Sequence, residues 1–440
     1  MTHNFTSNVA RTRNVIFSAL VTFSLAIIPN KSYSETHNIL RLGIVTFLSG
    51  PAAGPFGVPA ANAAKMLVDA LNNGQVPEPY SETGIAGAQV EIVLVDESGG
   101  VTKQVIEFRN MIQRRNVNAV VGYISSGSCL GIAPVAEEMK TLTVFHTCGT
   151  PRIFEEANYR YVFRTASHSA MDGIGAARYL LDRYPDLSSY AGINQNYAWG
   201  HDSWRDFESA LQILRPGLEF KTHQLPKLFA GQYNAEISAL LVKGPEAVHS
   251  SLFGGDLEAF TFQAIARGLH NKTHLILTTG ETMMFQLAKQ LPDGLIIGAR
   301  GPYGAFAKDT PINKWFREDY EKKFGVPPTY PAYMMGQAIL GLKSAYEVAH
   351  KEDSYPDTEA VVDAFSFLEY SAIGTTVNMA LGNGHQAITG TAYGEFGHDP
   401  DTGVPIINNV ITYTPECVNP PPGTNTIDWI TLGMPGAKCD

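Results

Sequence analysis

The sequence has few cysteines, few basic residues and no long apolar run beyond its N-terminus. Four cysteines in 440 residues are too few for a disulfide scaffold, although an even number can pair in an oxidising compartment. The net charge of −10 argues against a nucleic-acid-binding protein, which needs a basic face. An apolar fraction of 44% excludes wholesale disorder. The length predicts two domains, because one core stops growing beyond about 250–300 residues.

Motifs for catalysis, nucleotides and metals are also missing. The glycine-rich loop 49–57 is not G-x-G-x-x-G and lacks the P-loop lysine, which argues against nucleotide binding. There is no G-x-S-x-G elbow and no set of nucleophile, base and orienting group, so we expect no enzyme. There is no Cys-x-x-Cys, and His270 and His274 bracket a loop that leads into a strand rather than share a helix. We therefore expect no metal site and no cofactor.

The N-terminus has the layout of a secretory signal peptide. Arg11 and Arg13 precede an uncharged apolar run at 15–28, and small residues follow up to Ser34. This run is shorter than the roughly 20 residues of a membrane span, so cleavage after residue 34 is favoured over a permanent anchor. Cleavage removes three basic and no acidic residues, which changes the net charge from −10 to −13. The sequence thus predicts a signal peptide at 1–34 and export to the periplasm of a Gram-negative cell.

The remainder alternates strand-like and helix-like segments at intervals of about 30 residues, which predicts parallel sheets with helices on both faces. The pattern restarts near 164–169, so we expect an α/β protein of two doubly wound parallel-sheet lobes joined by a hinge. Segment 370–415 is expected to be antiparallel. The predicted units are lobe 1 at 38–166 plus 302–368, lobe 2 at 167–301 plus 369–415, a C-terminal tail at 416–440, and hinge segments at 164–169, 300–303 and 367–373.

Ligands in such folds lie at the carboxyl ends of the strands, so the loops that follow strands are the candidate site. In the first half, loop 49–57 is either a plain turn or a cleft wall that includes Phe56. Ser125 and Ser126 follow the third strand, where they either cap a helix or bind a carboxylate. Cys148 and Thr150 follow the fourth strand and are expected beside Ser126.

The second half offers four further candidates. Tyr197 and Trp199 follow its first strand, either as core aromatics or as a lid over a ligand. Asp256 follows a later strand in the sequence Phe-Gly-Gly-Asp. Glu281 begins a predicted helix at 281–291, where it either stabilises the helix dipole or holds a cation such as an ammonium group.

The four cysteines divide into two predicted disulfides. Cys129 and Cys148 lie at the ends of adjacent strand–helix units and can join the two donor loops. Cys417 and Cys439 can fix the C-terminal tail. In an oxidising compartment a disulfide is the default for each pair.

Three motifs in this order resemble the leucine/isoleucine/valine-binding proteins of ABC importers, which have the type I periplasmic binding fold. The resemblance runs from about residue 39 to 393. It rests on the order and spacing of three segments: TFLSGPAAGPFG, GYISSGSCLGIAPVAEEM, and CGTPRIFE with YRYVFRT.

The resemblance implies a monomeric Venus-flytrap receptor that closes on a small carboxylate-bearing ligand and delivers it to an ABC permease in the inner membrane. Ser126 and Thr150, with the backbone at Cys148, correspond to groups that bind the α-carboxylate. Glu281 corresponds to the residue that holds the α-ammonium. Phe56, Trp199 and Tyr197 correspond to aromatic cleft residues, and Asp256 stands near the place of a frequent tyrosine. This departure argues against a branched-chain amino acid and leaves a polar or basic ligand, or a carboxylate without an amine, open. The resemblance to relatives with similar loops also implies an aromatic acid or an amide as an alternative to an amino acid.

Three classes of function follow from these features. The first is the transport receptor. The second is a periplasmic sensor, which presents the same fold to a signalling partner. The third is a secreted α/β enzyme, which would require a set of nucleophile, base and orienting group that the sequence does not show.

Overall fold

The computed structural model describes residues 1, 39–351 and 354–439. The predicted signal peptide at 1–34 lies, apart from residue 1, outside the described residues. Within the described ranges, no helix has the length and apolar character needed to cross a membrane.

Fifteen strands are formed by the described residues. They are β1 (Ile39–Thr46), β2 (Gln89–Asp96), β3 (Ala119–Gly122), β4 (Thr143–Phe145), β5 (Val162–Arg164), β6 (Ser189–Ile193), β7 (Glu219–Gln224), β8 (Ala247–Ser250), β9 (His274–Leu277), β10 (Ile296–Gly298), β11 (Glu369–Ser371), β12 (Thr376–Leu381), β13 (Gln386–Ile388), β14 (Thr391–His398) and β15 (Pro405–Tyr413).

Thirteen α-helices connect and flank these strands in the described ranges. They are α1 (Val58–Asn72), α2 (Gly100–Arg115), α3 (Ser126–Glu138), α4 (Arg152–Glu155), α5 (Ser169–Arg183), α6 (Ala198–Leu214), α7 (Asn234–Lys243), α8 (Gly255–Ala266), α9 (Pro311–Phe324), α10 (Tyr330–Ala349), α11 (Thr358–Phe365), α12 (Pro415–Val418) and α13 (Thr426–Thr431).

The strands form two sheets, as the sequence pattern predicts. The first has the order β11-β12-β13-β5-β4-β3-β1-β2 and the second the order β15-β14-β10-β9-β8-β6-β7. The central strands are parallel: β1 pairs with β2 from Ile39–Gln89 to Thr46–Asp96. Strands such as β3 are buried along their whole length, because helices cover both faces. Helix α10 is buried almost all round, consistent with its apolar sequence.

The predicted boundary of lobe 2 needs one correction. Residues 369–388 were assigned to lobe 2, but β11, β12 and β13 extend the first sheet, where β13 pairs with β5. The physical reason is that the edge of β5 would otherwise leave unpaired backbone groups. The chain therefore passes to the second sheet at 389–390, between β13 and β14, rather than at 367–373.

The predicted helix at 281–291 is also wrong. Two short 3₁₀ turns, Gly280–Met283 and Ala288–Gln290, occupy this segment. The apolar side chains that suggested a helix are buried against the core nonetheless, as Met283 and Leu291 illustrate. Burial without regular helical spacing is therefore the source of the misleading signal.

The C-terminal tail packs against the second sheet's helices. Trp429 and Ile430 of α13 are buried in the same apolar cluster as residues of α5 and α6. The predicted disulfide Cys417–Cys439 is formed and closes the tail on itself. The tail is thus an integral part of the folded chain.

Candidate functional site

The loops at the carboxyl ends of the two sheets meet and enclose a cavity. Its volume is about 10 Å³, close to that of one water position. The lining comes from loops that follow strands in both sheets and from the first residue of α10. The lining residues are Phe56, Ile124, Thr147, Gly149, Tyr197, Trp199, Phe253, Thr279, Arg300 and Tyr330.

Direct contacts join the loops of the two sheets around this cavity. The Gly255 backbone N–H donates to the Pro51 carbonyl at 2.8 Å. The Trp199 ring packs on Gly149, where a Cβ atom would overlap the indole. Because the walls touch, a ligand larger than water enters only when the two lobes separate.

Aromatic side chains form most of the cavity wall. The ring of Phe56 meets the rings of Phe253 and Tyr330 edge-on, with centroid distances of 5.4 and 5.5 Å. The Tyr197 ring lies 6.1 Å from that of Phe253. The Trp199 indole N–H donates to the Ser251 carbonyl at 2.8 Å, which fixes the ring's orientation. The cavity therefore presents ring edges and faces to its contents.

Arg300 supplies the positive charge of this cavity. It follows β10 and is 3% exposed. Its Nε donates to Asp172 at 2.9 Å, and its Nη1 and Nη2 donate to the carbonyls of Thr147 and Ser167 at 2.5 and 3.1 Å. Burial raises the pKa of Asp172 to about 6, and Arg300 opposes that rise. The guanidinium lies 4.3 Å from the Trp199 ring centroid, a cation–π contact.

Tyr330 lines the same cavity with an unpaired hydroxyl. The residue is fully buried, and its hydroxyl has no hydrogen-bond partner among the described residues. A buried polar group without a partner costs about 1–3 kcal/mol. Burial raises the pKa of Tyr330 well above its ordinary value, so the hydroxyl keeps its proton. It is therefore a hydrogen-bond donor available to a cavity occupant.

Arg300 and Tyr330 line the cavity but are not among the residues predicted from the sequence. Arg300 lies two residues beyond the end of β10, so the rule used for the other loops could have identified it. It was assigned instead to a hinge segment. Tyr330 is the first residue of α10 and precedes a proline. Its position beside the cavity depends on the packing of α10 and has no local sequence signal.

The hydroxyl groups predicted as ligand donors on the first lobe, those of Ser125, Ser126 and Thr150, make hydrogen bonds within the protein beside the cavity. The Ser126 hydroxyl accepts from the backbone N–H groups of Gly149 and Thr150, both at 3.2 Å. Ser125 caps α3, as the alternative interpretation holds. The Thr150 hydroxyl donates to Asp202 in α6 at 2.6 Å, which links the two lobes.

The predicted disulfide Cys129–Cys148 is formed in the same region. The backbone N–H of Cys148 donates to the Tyr123 carbonyl at 3.3 Å, and its carbonyl accepts from Arg164 at 3.1 Å. The disulfide thus joins α3 to the loop 147–150, and both backbone groups of Cys148 are engaged within the protein.

The two predicted acidic residues bind backbone groups and do not line the cavity. Asp256 accepts from Gln195 and from the Phe229 N–H, both at 2.6 Å. Glu281 accepts from the N–H groups of Ala305 and Tyr330 at 3.3 and 2.9 Å. Burial raises the pKa of Glu281 to about 8, and these two hydrogen bonds oppose the rise. Glu281 therefore fixes the backbone of the cavity-lining Tyr330.

Two α/β lobes with a cavity between their loops define the type I periplasmic binding fold. The chain belongs to the periplasmic binding protein family, whose model matches residues 39–398. This family is one of binding proteins rather than enzymes. The family implies an extracytoplasmic location and a small-molecule ligand.

Curated and solved relatives are distant from this chain. A leucine-, isoleucine-, valine-, threonine- and alanine-binding protein of Pseudomonas aeruginosa is 24% identical over 77% of this chain and 86% of its own length. A solute-binding protein of Rhodopseudomonas palustris, solved with 3,4-dihydroxybenzoic acid, is 18% identical with a TM-score of 0.73, covering 86% of this chain and 97% of that chain. A protein from Brucella ovis of the same name as the Pseudomonas relative, in a closed conformation, is also 18% identical with a TM-score of 0.73, covering 88% and 98%. These structural likenesses show the fold.

Proposed function

We propose that the cleft binds a small aromatic carboxylate. The observation that carries this proposal is the composition of the cavity wall. Among the described residues that line the cavity, Arg300 alone is charged, and five of the ten are aromatic. A guanidinium pairs with a carboxylate, and flat aromatic walls suit a flat ring.

The unpaired hydroxyl of Tyr330 supports the same ligand class. A carboxylate that enters between Arg300 and Tyr330 gives this hydroxyl the acceptor that it lacks in the protein. Hydrogen bonds to a charged acceptor contribute about 1.5–3 kcal/mol each. The R. palustris protein solved with 3,4-dihydroxybenzoic acid has the same fold, in agreement with this proposal.

A zwitterionic amino acid is less well accommodated. Its ammonium group needs an acceptor, and none of the described residues that line the cavity is acidic. By resemblance to the leucine/isoleucine/valine-binding proteins, Glu281 corresponds to the residue that binds the ammonium group. Here its carboxylate accepts hydrogen bonds from two backbone N–H groups instead. Moreover, the guanidinium of Arg300 would repel an ammonium group placed beside it. The Pseudomonas relative named for branched-chain amino acids is 24% identical, which leaves room for a different ligand.

Binding then proceeds by separation and closure of the lobes. The parted lobes admit the carboxylate, and closure brings Trp199 and Phe253 of the second lobe over its ring. Closure excludes water, which strengthens the charge-assisted hydrogen bonds to Arg300. The closed form is the one that we expect an ABC permease in the inner membrane to recognise.

Thermal unfolding with three matched ligands tests the proposal. Benzoate carries a ring and a carboxylate, benzamide has the same shape without the charge, and phenylalanine adds an ammonium group. We expect benzoate to raise the unfolding midpoint of residues 35–440 more than either of the others, because a ligand stabilises the state that binds it. A larger shift with phenylalanine than with benzoate would contradict the proposal.

A further inference from the structure

A second and larger cavity lies beneath the C-terminal tail. Its volume is about 250 Å³, against about 10 Å³ for the cavity between the lobes. Its walls come from four parts of the chain: residues 151–158 after β4, residues 164–168 at the end of β5, residues 381–386 around β13, and residues 420–426 of the tail. This volume is close to the lower end of small-molecule sites, which is about 300 Å³.

Arg164, at the end of β5, contributes a buried positive charge to this cavity. Its exposed fraction is 0%. Its Nε donates to Gln386, and its Nη1 donates to the carbonyls of Cys148 and Thr150 at 3.1 and 2.5 Å. Its Nη2 has no acceptor, and no carboxylate pairs with it, among the described residues. Burial lowers the pKa of Arg164 to about 9.

A buried charge without a counter-ion is costly, so proteins normally pair it. The other buried arginine of the region, Arg300, follows this rule and binds Asp172 at 2.9 Å. Arg164 has only neutral acceptors on its Nε and Nη1. Glu155, Asp172 and Asp202 stabilise the charge of Arg164 from a longer distance, but none of them forms an ion pair with it among the described residues. A direct partner for the guanidinium can therefore come from a ligand.

His168 is a second unsatisfied group in the wall of this cavity. It is 2% exposed, and its Nδ1 has no partner among the described residues. Burial, followed by the charge of Arg164, holds the pKa of His168 well below its ordinary value, so the ring is neutral at pH 7. A neutral imidazole donates from one nitrogen and accepts at the other.

Glu155, the acidic residue in the cavity wall, is already engaged. Its Oε1 accepts from the Thr426 N–H at 3.0 Å and from the Thr426 hydroxyl. Its Oε2 accepts from Asn425 at 3.3 Å. These bonds attach the tail to the segment after β4, and they engage both carboxylate oxygens of Glu155 with neutral donors.

We propose that this cavity is a second binding site, for a small organic carboxylate held by Arg164 and His168. The guanidinium of Arg164 favours an anion beside it. The rest of the wall includes the Phe154 ring, 5.6 Å from the guanidinium, together with Pro151 and Leu381. These apolar groups suit a short organic body better than a fully hydrated inorganic ion. The proposal does not depend on which ligand occupies the cleft.

An occupant of this site would act on the cleft through one shared residue. Nη1 of Arg164 holds the carbonyls of Cys148 and Thr150, and Gly149 between them lines the cavity of the cleft. A bound carboxylate therefore fixes the loop 147–150 from behind and stabilises the contact between the tail and the first lobe.

Unfolding midpoints measured in sodium acetate, at constant ionic strength against sodium chloride, test this site. Thr424→Trp places an indole in the cavity without altering Arg164, since Thr424 is half-buried in its wall. Leu432→Trp is the matched control, because Leu432 lies on the same tail, is 73% exposed and is outside the cavity. We expect acetate to raise the midpoints of the wild type and of Leu432→Trp, and the shift to be lost in Thr424→Trp. The same acetate shift in all three proteins, or no shift in the wild type, would overturn the proposal.

A crystal of the wild-type protein grown with 4-bromobutyrate keeps the test decisive if Thr424→Trp fails to fold. The anomalous signal of bromine is expected in the cavity beside Arg164. Bromine in the cleft alone, or in neither place, would overturn the second site. Failure of benzoate to bind the cleft would refute the proposed function and leave this result unaffected.

Discussion

Replacement of Tyr330 by phenylalanine isolates the contribution of one atom to ligand binding. The Tyr330→Phe variant keeps the ring that packs edge-on against Phe56 at 5.5 Å and removes the buried hydroxyl. A hydrogen bond to a carboxylate contributes about 1.5–3 kcal/mol, so benzoate affinity should fall by roughly 10- to 150-fold. Without ligand, removal of an unpaired buried hydroxyl should leave the protein equally stable or more stable by about 1 kcal/mol.

The two halves of this prediction need two measurements on the same protein. Calorimetric titration with benzoate gives the affinity, and urea unfolding without ligand gives the free energy of unfolding. A loss of affinity together with unchanged or increased stability is the expected combination. Unchanged affinity, or a loss of stability above about 1 kcal/mol, would show that the hydroxyl serves the fold rather than the ligand.

Three further predictions concern stability. Glu281 has a folded-state pKa raised to about 8, so the free energy of unfolding should fall as the pH rises from about 4.5 to about 8, and urea titrations of Glu281→Gln should lack this slope. Replacement of Cys417 and Cys439 by serine opens a link across a separation of 22 residues and should cost about 3 kcal/mol, measured by denaturant unfolding under non-reducing conditions. Phe163 stacks on Phe365 with a centroid distance of 4.6 Å, so Phe163→Ala should cost about 3–5 kcal/mol; a loss below 1 kcal/mol would contradict its place in the core.

The sequence predicts the strands and helices of both lobes well because each unit has its own periodic pattern. The strand β1 at 39–46 is a short, mostly buried apolar run that ends in a turn, which is the pattern expected of a strand in a parallel sheet. The predicted sheet membership of 369–388 is wrong. Local pattern identifies a strand, but its hydrogen-bonding partner is set by tertiary packing.

The sequence predicts which loops lie at the cavity better than it predicts what each side chain binds. Phe56, Tyr197 and Trp199 line the cavity, as expected of aromatics in loops that follow strands. Polar candidates were harder, because a hydroxyl or a carboxylate can bind either the backbone or a ligand. Asp256 binds backbone and side-chain N–H groups within the second lobe, and the sequence has no feature that separates this role from ligand binding.

Paired calorimetric titrations of residues 35–440 with benzoate and with leucine test the central claim most directly. Arg300 provides a cation, and the described residues that line the cavity include no acidic side chain to pair with an ammonium group. The predicted result is saturable binding of benzoate at one cleft site, at least tenfold tighter than that of leucine. Tight binding of leucine with no heat from benzoate would contradict the assignment of an aromatic carboxylate to the cleft.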